Sequence, residues 1–438
     1  MFGKKNGERL SFLANFYYRY RKIIRAIQIY LILAGPGILV MVADNDAGGI
    51  TTYADTGLKF GYNLIWFLIL LGPIAYFVQE MTVRLGAVTK HGHAEAIFSS
   101  FGWFWGWFSF LDLSIVNWLT LITEFIGMTT GLAVFGVPPV LTVIVVIVIM
   151  AVMILSGRYW TWEKIALIFA CINLIYIPLA FVASPNWGVV LRNGIIPNLP
   201  GGINGTLFFF IMANIGTTIA PWMIFFQQSS VVDKGMKEKD IPFGKIDTLV
   251  GAIFTVLVAV FIIVAIHALL PDVIISNTTN LPDAGSVAQS IIQQHSRLAG
   301  TLLAIGLFDA GLLGAICISI TSSWAFGEVF GWAHSLNQKV REAPWFYGMY
   351  FFALITAGGV VLIPGAPLAL ITLFVQVIAV TLLPAALVFL ILILNNSEIM
   401  GRYKNTLLDN IISLGTVGMI IVLSTLYAIS TLFPGLFG

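Results

Sequence analysis

The chain is predicted to be an all-α integral membrane protein, with two halves of five membrane-crossing helices each, an eleventh helix appended, and helices 1 and 6 broken. Three observations predict this fold class. Of 438 residues, 59% are hydrophobic and only 10% charged, against about 25% charged in an ordinary soluble domain. The mean hydropathy of +0.96 means more apolar surface than a water-soluble globule can hide. Eleven apolar stretches follow one another along the chain, and two of them carry polar, Gly or Pro interruptions at membrane depth.

A bilayer core needs about 20 apolar residues per helix. Stretches of that kind fall at 29–57, 63–88, 103–134, 139–155, 163–183, 206–230, 247–270, 298–332, 345–363, 367–394 and 408–434. Gly/Pro connectors separate them, such as Gly136-Val137-Pro138-Pro139 and Ile363-Pro364-Gly365-Ala366-Pro367. The polar run 277–290 reads as an external loop. With the N-terminus in the cytoplasm, every Lys and Arg except Lys59, Arg192 and Arg297 falls on the inner side. That bias is the positive-inside signature, and it places the C-terminus outside the inner (plasma) membrane. The chain therefore divides into a basic cytoplasmic segment 1–28, a core of ten membrane helices over 29–394, and an inner loop with the eleventh helix over 395–438. No cleavable signal is expected, because the first apolar run is too long for a signal peptide. The net charge of +2 carries no nucleic-acid footprint. Cys171 and Cys317 both lie in apolar runs, which excludes a disulfide framework or a Cys-rich metal site.

The first interruption is Ala43-Asp44-Asn45-Asp46-Ala47-Gly48-Gly49-Ile50-Thr51-Thr52. An Asp at a helix centre costs about 2.5–3.5 kcal/mol on insertion scales, and the paired glycines weaken a helix further. An unwound segment facing a polar cavity resolves both. The second interruption is Asn214-Ile215-Gly216-Thr217-Thr218-Ile219-Ala220-Pro221-Trp222. Pro221 has no amide to donate, which frees carbonyls near Thr217. Interrupted spans at matching positions of two inverted halves point to the binding site of a secondary transporter. Pro178 and Pro384 read as ordinary kinks.

At these residues the sequence resembles the Nramp family of divalent-metal transporters, whose fold is of the LeuT type. The family's first-span motif Asp-Pro-Gly-Asn falls on Asp46-Ala47-Gly48-Gly49, and its sixth-span Met-Pro-His on Ala220-Pro221-Trp222. Glu124-Phe125-Ile126-Gly127 and Gln376-Val377 also look like the family's, and the resemblance runs from Gly35 to Leu394. It implies Asp46 as the acidic metal ligand, Ala43 and Thr217 as carbonyl donors, and Gln376 as an oxygen ligand, direct or one shell out. Asp44 is a second candidate carboxylate. Gly49 stands where the family has its Asn ligand, and Ala220 where it has its Met. Losing the thioether favours hard ions, and losing both side chains enlarges the site. Mg²⁺ dehydrates reluctantly and keeps waters on one or two carboxylates. The expectation is thus a Mg²⁺ carrier of a divergent Nramp-related branch, taking Mn²⁺ as well and binding its ion partly hydrated.

Proton symport, the family's habit, is not expected. The family His falls on Trp222, the next on Gln227, the third-span Asp on Leu121, and the ninth span holds no Lys or Arg. Only Glu124 remains among the titratable candidates, and a relay needs groups within reach of one another. A proton-coupled Mn²⁺/Fe²⁺ symporter of the Nramp type is the alternative. The expected partners are divalent ions and the bilayer, with no nucleic acid, no obligate protein partner and no cofactor beyond the carried ion.

Other polar residues have blander readings. His267 reads as interfacial, Asp112 and Asn117 as interhelical hydrogen-bonding groups, and Trp103, Trp105 and Trp107 as an interface belt. Asp309 is deep in the eighth span, near Gly311 and Gly314, with no partner evident in sequence. Asp55 is read as lining an outer vestibule, and His91 and His93 as a weakly signalled metal pair. A sodium-coupled amino-acid carrier is disfavoured because an Asp pair repels a carboxylate. A channel fits paired broken helices less well. An intramembrane aspartyl protease is disfavoured because residues at i and i+2 do not converge into a proton-sharing dyad.

Overall fold

The computed structural model describes residues 35–432 apart from 156, 200–201, 203 and 272–281. The basic segment 1–28, the start of the first expected span, residues 277–281 of the polar run 277–290 and the last six residues lie outside the described part. From Ala284 that run is helical, not the loop expected.

The broken first span consists of α1 (Pro36–Ala43) and α2 (Ala47–Phe60), followed by α3 (Ile65–Thr89) and α4 (His93–Ala133). Then come α5 (Pro139–Ile154) and a fifth span made of α6 (Tyr159–Ile172), a 3₁₀ turn (Asn173–Ile175) and α7 (Tyr176–Val182). A short connector helix α8 (Trp187–Ile195) leads to the broken sixth span, α9 (Gly205–Thr218) and α10 (Pro221–Asp233). The second half continues with α11 (Ile241–Leu269), a connector helix α12 (Ala284–Gln294), α13 (Arg297–Phe330), α14 (Pro344–Val361) and α15 (Leu368–Asn395). The single turn α16 (Ser397–Met400) precedes α17 (Leu407–Leu432).

Among the described residues, nine helical segments are at least 18 residues long and apolar enough to cross a membrane. The apolar α5 spans 16 residues, about 24 Å at 1.5 Å per residue. Helix α4 carries one left-handed residue, Gly102 (φ 82°), which turns its first nine residues away from the rest. Just beyond that corner Trp103 is 73% exposed and Trp105 46% exposed, as an aromatic belt at a lipid interface requires.

The buried centre is formed by α4 against α13, with α1 and α2 between them and α11. Small residues permit the approach. A Cβ on Gly127 of α4 would collide with the Ala47 methyl, and one on Gly311 of α13 would lie 2.8 Å from the Glu124 carbonyl. Asn117 of α4 donates to Ser322 Oγ of α13 at 3.0 Å, the interhelical bond expected of it.

The end of the molecule where α1 begins is fastened by buried polar groups. Asp247 Oδ2 of α11 accepts the Gly35 and Gly37 amides at 3.0 and 2.7 Å. Alongside, Lys234 Nζ donates to Glu163 Oε1 and Oε2 at 2.8 and 2.9 Å, with both side chains buried. Tyr159 OH donates to Glu163 at 3.1 Å and meets Ser230 Oγ at 2.6 Å. At the same end Arg84 of α3 donates to Glu80, Asn405 and Asp409, which pins the start of α17.

Candidate metal centre

Helix α1 stops at Ala43 and α2 starts at Ala47, so the gap is the three residues Asp44, Asn45 and Asp46. Asp46 ends the gap by capping α2: its Oδ1 accepts the Gly49 amide at 2.6 Å. In a continuous helix the Ala47 amide would return to the Ala43 carbonyl. Here it donates to Glu124 Oε2 of α4 at 3.0 Å, and the Ala43 carbonyl is released from that duty. The expectation that Gly48 and Gly49 belong to the unwound segment is corrected, because both lie in the first turn of α2.

What the glycines provide is close approach. A Cβ on Gly48 would collide with the Gln376 side-chain amide of α15. One on Gly49 would lie 2.6 Å from Thr217 Oγ1, 3.1 Å from the Asp44 carbonyl oxygen and 3.4 Å from Asp46 Oδ1. Three oxygens from both broken spans therefore face the point that a side chain at position 49 would occupy. Neither Thr217 Oγ1, Asp44 Oδ2 nor Gln376 Nε2 has a hydrogen-bond partner, and all three are buried. Buried polar atoms left unpaired call for an explanation such as a bound ion or water.

The second gap is Ile219-Ala220, between α9 and α10. Pro221 opens α10 and has no amide to give to the Thr217 carbonyl. The Ala220 amide, which a continuous helix would return to Gly216, donates to Met223 Sδ at 3.3 Å. Gly216 of α9 rests on the main chain of Gln376, where any Cβ would collide with the carbonyl oxygen. The two broken spans and α15 thus close on one another through glycine.

The structure brings together Asp44, Asp46, Gly49, Thr217 and Gln376, with Ala43 and Ala220 at the edges of the two gaps. Three residues at this centre had no such place in the sequence reading. Glu124 holds the start of α2, Met223 brings a thioether to the Ala220 amide, and Tyr53 OH meets Thr218 Oγ1 at 3.3 Å. The +3 spacing of Met223 from Ala220 was the available signal for the sulfur.

Two further expectations are corrected. Asp55 is fully buried with both carboxylate oxygens unpartnered, so it lines no open vestibule. His91 and His93 do not converge. His91 lies 2.7 Å from Glu95, whereas the buried His93 meets Gln228 Oε1 at 2.8 Å. No cluster of three or more His, Cys, Asp or Glu that could hold a metal occurs among the described residues. Any cation at the gap would therefore draw on carbonyl and hydroxyl oxygens as well as carboxylate.

Paired broken helices meeting around buried, unpaired oxygens define a secondary transporter of the LeuT-type fold. The chain belongs to the Nramp family: the model for natural resistance-associated macrophage protein-like proteins matches residues 37–430. It is a multi-pass membrane transporter and not an enzyme. The divalent metal cation transporter MntH of Caldanaerobacter subterraneus is 26% identical over 421 residues, covering 92% of this chain and 94% of that protein. MntH of Staphylococcus haemolyticus is 25% identical, covering 92% of each. Among solved structures, the Eremococcus coleocola manganese transporter bound to an aromatic bis-isothiourea compound superposes with a TM-score of 0.75 at 21% identity, over 92% of this chain and 86% of that one. MhsT in complex with L-phenylalanine superposes at 0.55 with 12% identity, over 90% and 98%.

Proposed function

We propose that this chain takes up hard divalent cations by alternating access, chiefly Mg²⁺ and also Mn²⁺, with the ion held partly hydrated and no proton carried. The supporting observation is the convergence of Thr217 Oγ1, the Asp44 carbonyl and Asp46 Oδ1 around the side-chain position that Gly49 leaves bare. An all-oxygen set with one or two carboxylates and room for water suits Mg²⁺ and Mn²⁺ better than soft metals. The ligands proposed are Asp46, the Ala43 and Thr217 carbonyls, Asp44 and the Gln376 amide, with Gly49 and Ala220 leaving the room. Spans one to five and six to ten form the inverted repeat, the eleventh is appended, the N-terminus is cytoplasmic and the C-terminus outside.

No co-ion is needed for accumulation. Each charge gains about 2.3 kcal/mol per 100 mV of membrane potential, so a divalent ion gains about 4.6 kcal/mol, or roughly 2,000-fold accumulation.

A second reading, proton-coupled Mn²⁺/Fe²⁺ symport, is favoured by the manganese and MntH names of the relatives. The Met223 sulfur beside Ala220 and the Glu124 carboxylate beside Asp46 favour it too. Vesicles holding the purified protein and an internal pH dye decide between the two. Mg²⁺ and Mn²⁺ uptake at constant internal pH supports the first reading. Metal-dependent acidification with Mg²⁺ excluded establishes the second.

A further inference from the structure

Away from the two gaps, a second set of buried oxygens lies between the fifth and eighth membrane spans. Asp309 of α13 stands about 18 Å along its helix at 1.5 Å per residue, and it is 3% exposed. Neither of its carboxylate oxygens has a hydrogen-bond partner. Across the helix contact lie the Asn173 side chain, within hydrogen-bonding reach of it, and the Tyr176 ring, which feels its charge; both are fully buried. Both side-chain atoms of Asn173 and the Tyr176 hydroxyl are unpartnered as well. The ring of Tyr176 packs on Gly306, one turn before Asp309, where a Cβ would lie 2.7 Å from the hydroxyl oxygen.

Local structure explains why these groups share a face. Asn173 opens the 3₁₀ turn that interrupts the fifth span, and residues at i and i+3 of such a turn eclipse one another. Asn173 and Tyr176 therefore present to the same side. Pro178, four residues after Leu174, has no amide to return to its carbonyl, which is one reason the α-helix gives way here.

Asn173 lies within hydrogen-bonding reach of the Asp309 carboxylate, yet none of the five polar atoms has a well-formed hydrogen bond, so the buried carboxylate is left under-satisfied. An under-satisfied buried carboxylate beside an amide and a hydroxyl offers oxygens that a cation can take. The charge sets its valence. One carboxylate with an amide oxygen and a hydroxyl is neutralised by a single positive charge, whereas a divalent ion would leave a net charge buried at membrane depth. We propose that Asp309, Asn173 and Tyr176 form a binding site for a small monovalent cation, Na⁺, between the fifth and eighth membrane spans and separate from the Asp46 centre. An ion there would tie α13, which also carries Gly311 and Gly314 against Glu124, to the fifth span.

The test is ²²Na⁺ binding to purified full-length protein without divalent metal, paired with thermal unfolding in NaCl against choline chloride. The expected result is saturable binding of about one Na⁺ per chain and a higher unfolding temperature in Na⁺. Both effects are lost in Asp309→Asn and weakened at least tenfold in affinity in Tyr176→Phe, and both persist in Asp46→Ala. Persistence in Asp46→Ala separates this site from the proposed metal centre, so either can fail without the other. Tyr176→Phe, which removes only a hydroxyl, keeps the test decisive if Asp309→Asn does not fold. The proposal is overturned by an absence of saturable Na⁺ binding, by Na⁺ binding unchanged in both variants, or by stability that follows pH alone and ignores Na⁺.

Discussion

Glu124 Oε2 accepts the Ala47 amide at 3.0 Å, so a carboxylate on the third span occupies the place that a helical carbonyl would take in the first. The bond positions α2, and through Asp46 as its cap it positions the gap itself. That role needs an acceptor and no titration. Glu124→Gln, which still offers an oxygen, should keep most of the Mg²⁺ uptake, whereas Glu124→Ala should lose roughly 10- to 100-fold, the worth of a charge-assisted hydrogen bond. Initial uptake rates in vesicles check this. Equal loss in both variants would point to a proton carrier instead.

Asp46 combines two jobs that substitution can separate. Asp46→Asn keeps a side-chain oxygen for the Gly49 amide and removes the charge, while Asp46→Ala removes both. Calorimetric titration should show no Mg²⁺ or Mn²⁺ binding in either variant. Thermal unfolding should show Asp46→Ala less stable than Asp46→Asn by about 1 kcal/mol, the usual worth of an N-cap.

Ala220 leaves the sixth-span gap without a side-chain donor of its own. Ala220→Met should shift preference toward softer ions, so that Cd²⁺ and Mn²⁺ compete more strongly and Mg²⁺ uptake falls. Competition assays with labelled Mn²⁺ read the change. An unaltered order of ions would mean that position 220 does not face the ion.

Gly216 is a packing constraint. A Cβ there meets the main-chain oxygen of Gln376, which has no rotamer with which to move aside. Gly216→Ala should destabilise the protein by about 1–3 kcal/mol, as overpacking does, and displace α15 from α9. A variant as stable as wild type would show that the two helices part easily.

The buried Lys234–Glu163 pair predicts an asymmetry between single and double substitutions. Lys234→Met leaves a buried carboxylate uncompensated and should cost about 3–5 kcal/mol. Adding Glu163→Leu should restore most of that stability, because a matched apolar pair is often as stable as the ion pair. Unfolding temperatures of the two single variants and the double variant complete the cycle.

Much of this was legible in the chain. Asp44 and Asp46 within an apolar stretch, and Pro221 within another, carry a penalty that only a break relieves, and the gaps fall at those residues. What escaped depends on which helix faces which. Gly48 and Gly49 read as helix breakers because their neighbours Gln376 and Thr217 are distant in sequence. Met223 drew no reading from the sequence, because its sulfur matters only once the Ala220 amide loses its helical acceptor. Asp55 read as solvent-facing because nothing in its own span reveals that the rest of the fold seals it. The fastening of α1 by Asp247 joins residues 210 positions apart, and no local pattern encodes it.

That fastening has a consequence for the transport cycle. Asp247 grips α1 by the amides of Gly35 and Gly37, groups that water satisfies equally well once it can reach them. An opening motion that let water reach these amides would release the latch without strain, so solvent would take part in any step that frees the half-helix. Turnover should accordingly slow as osmotic pressure rises, with large excluded polymers acting as a brake without touching the ion.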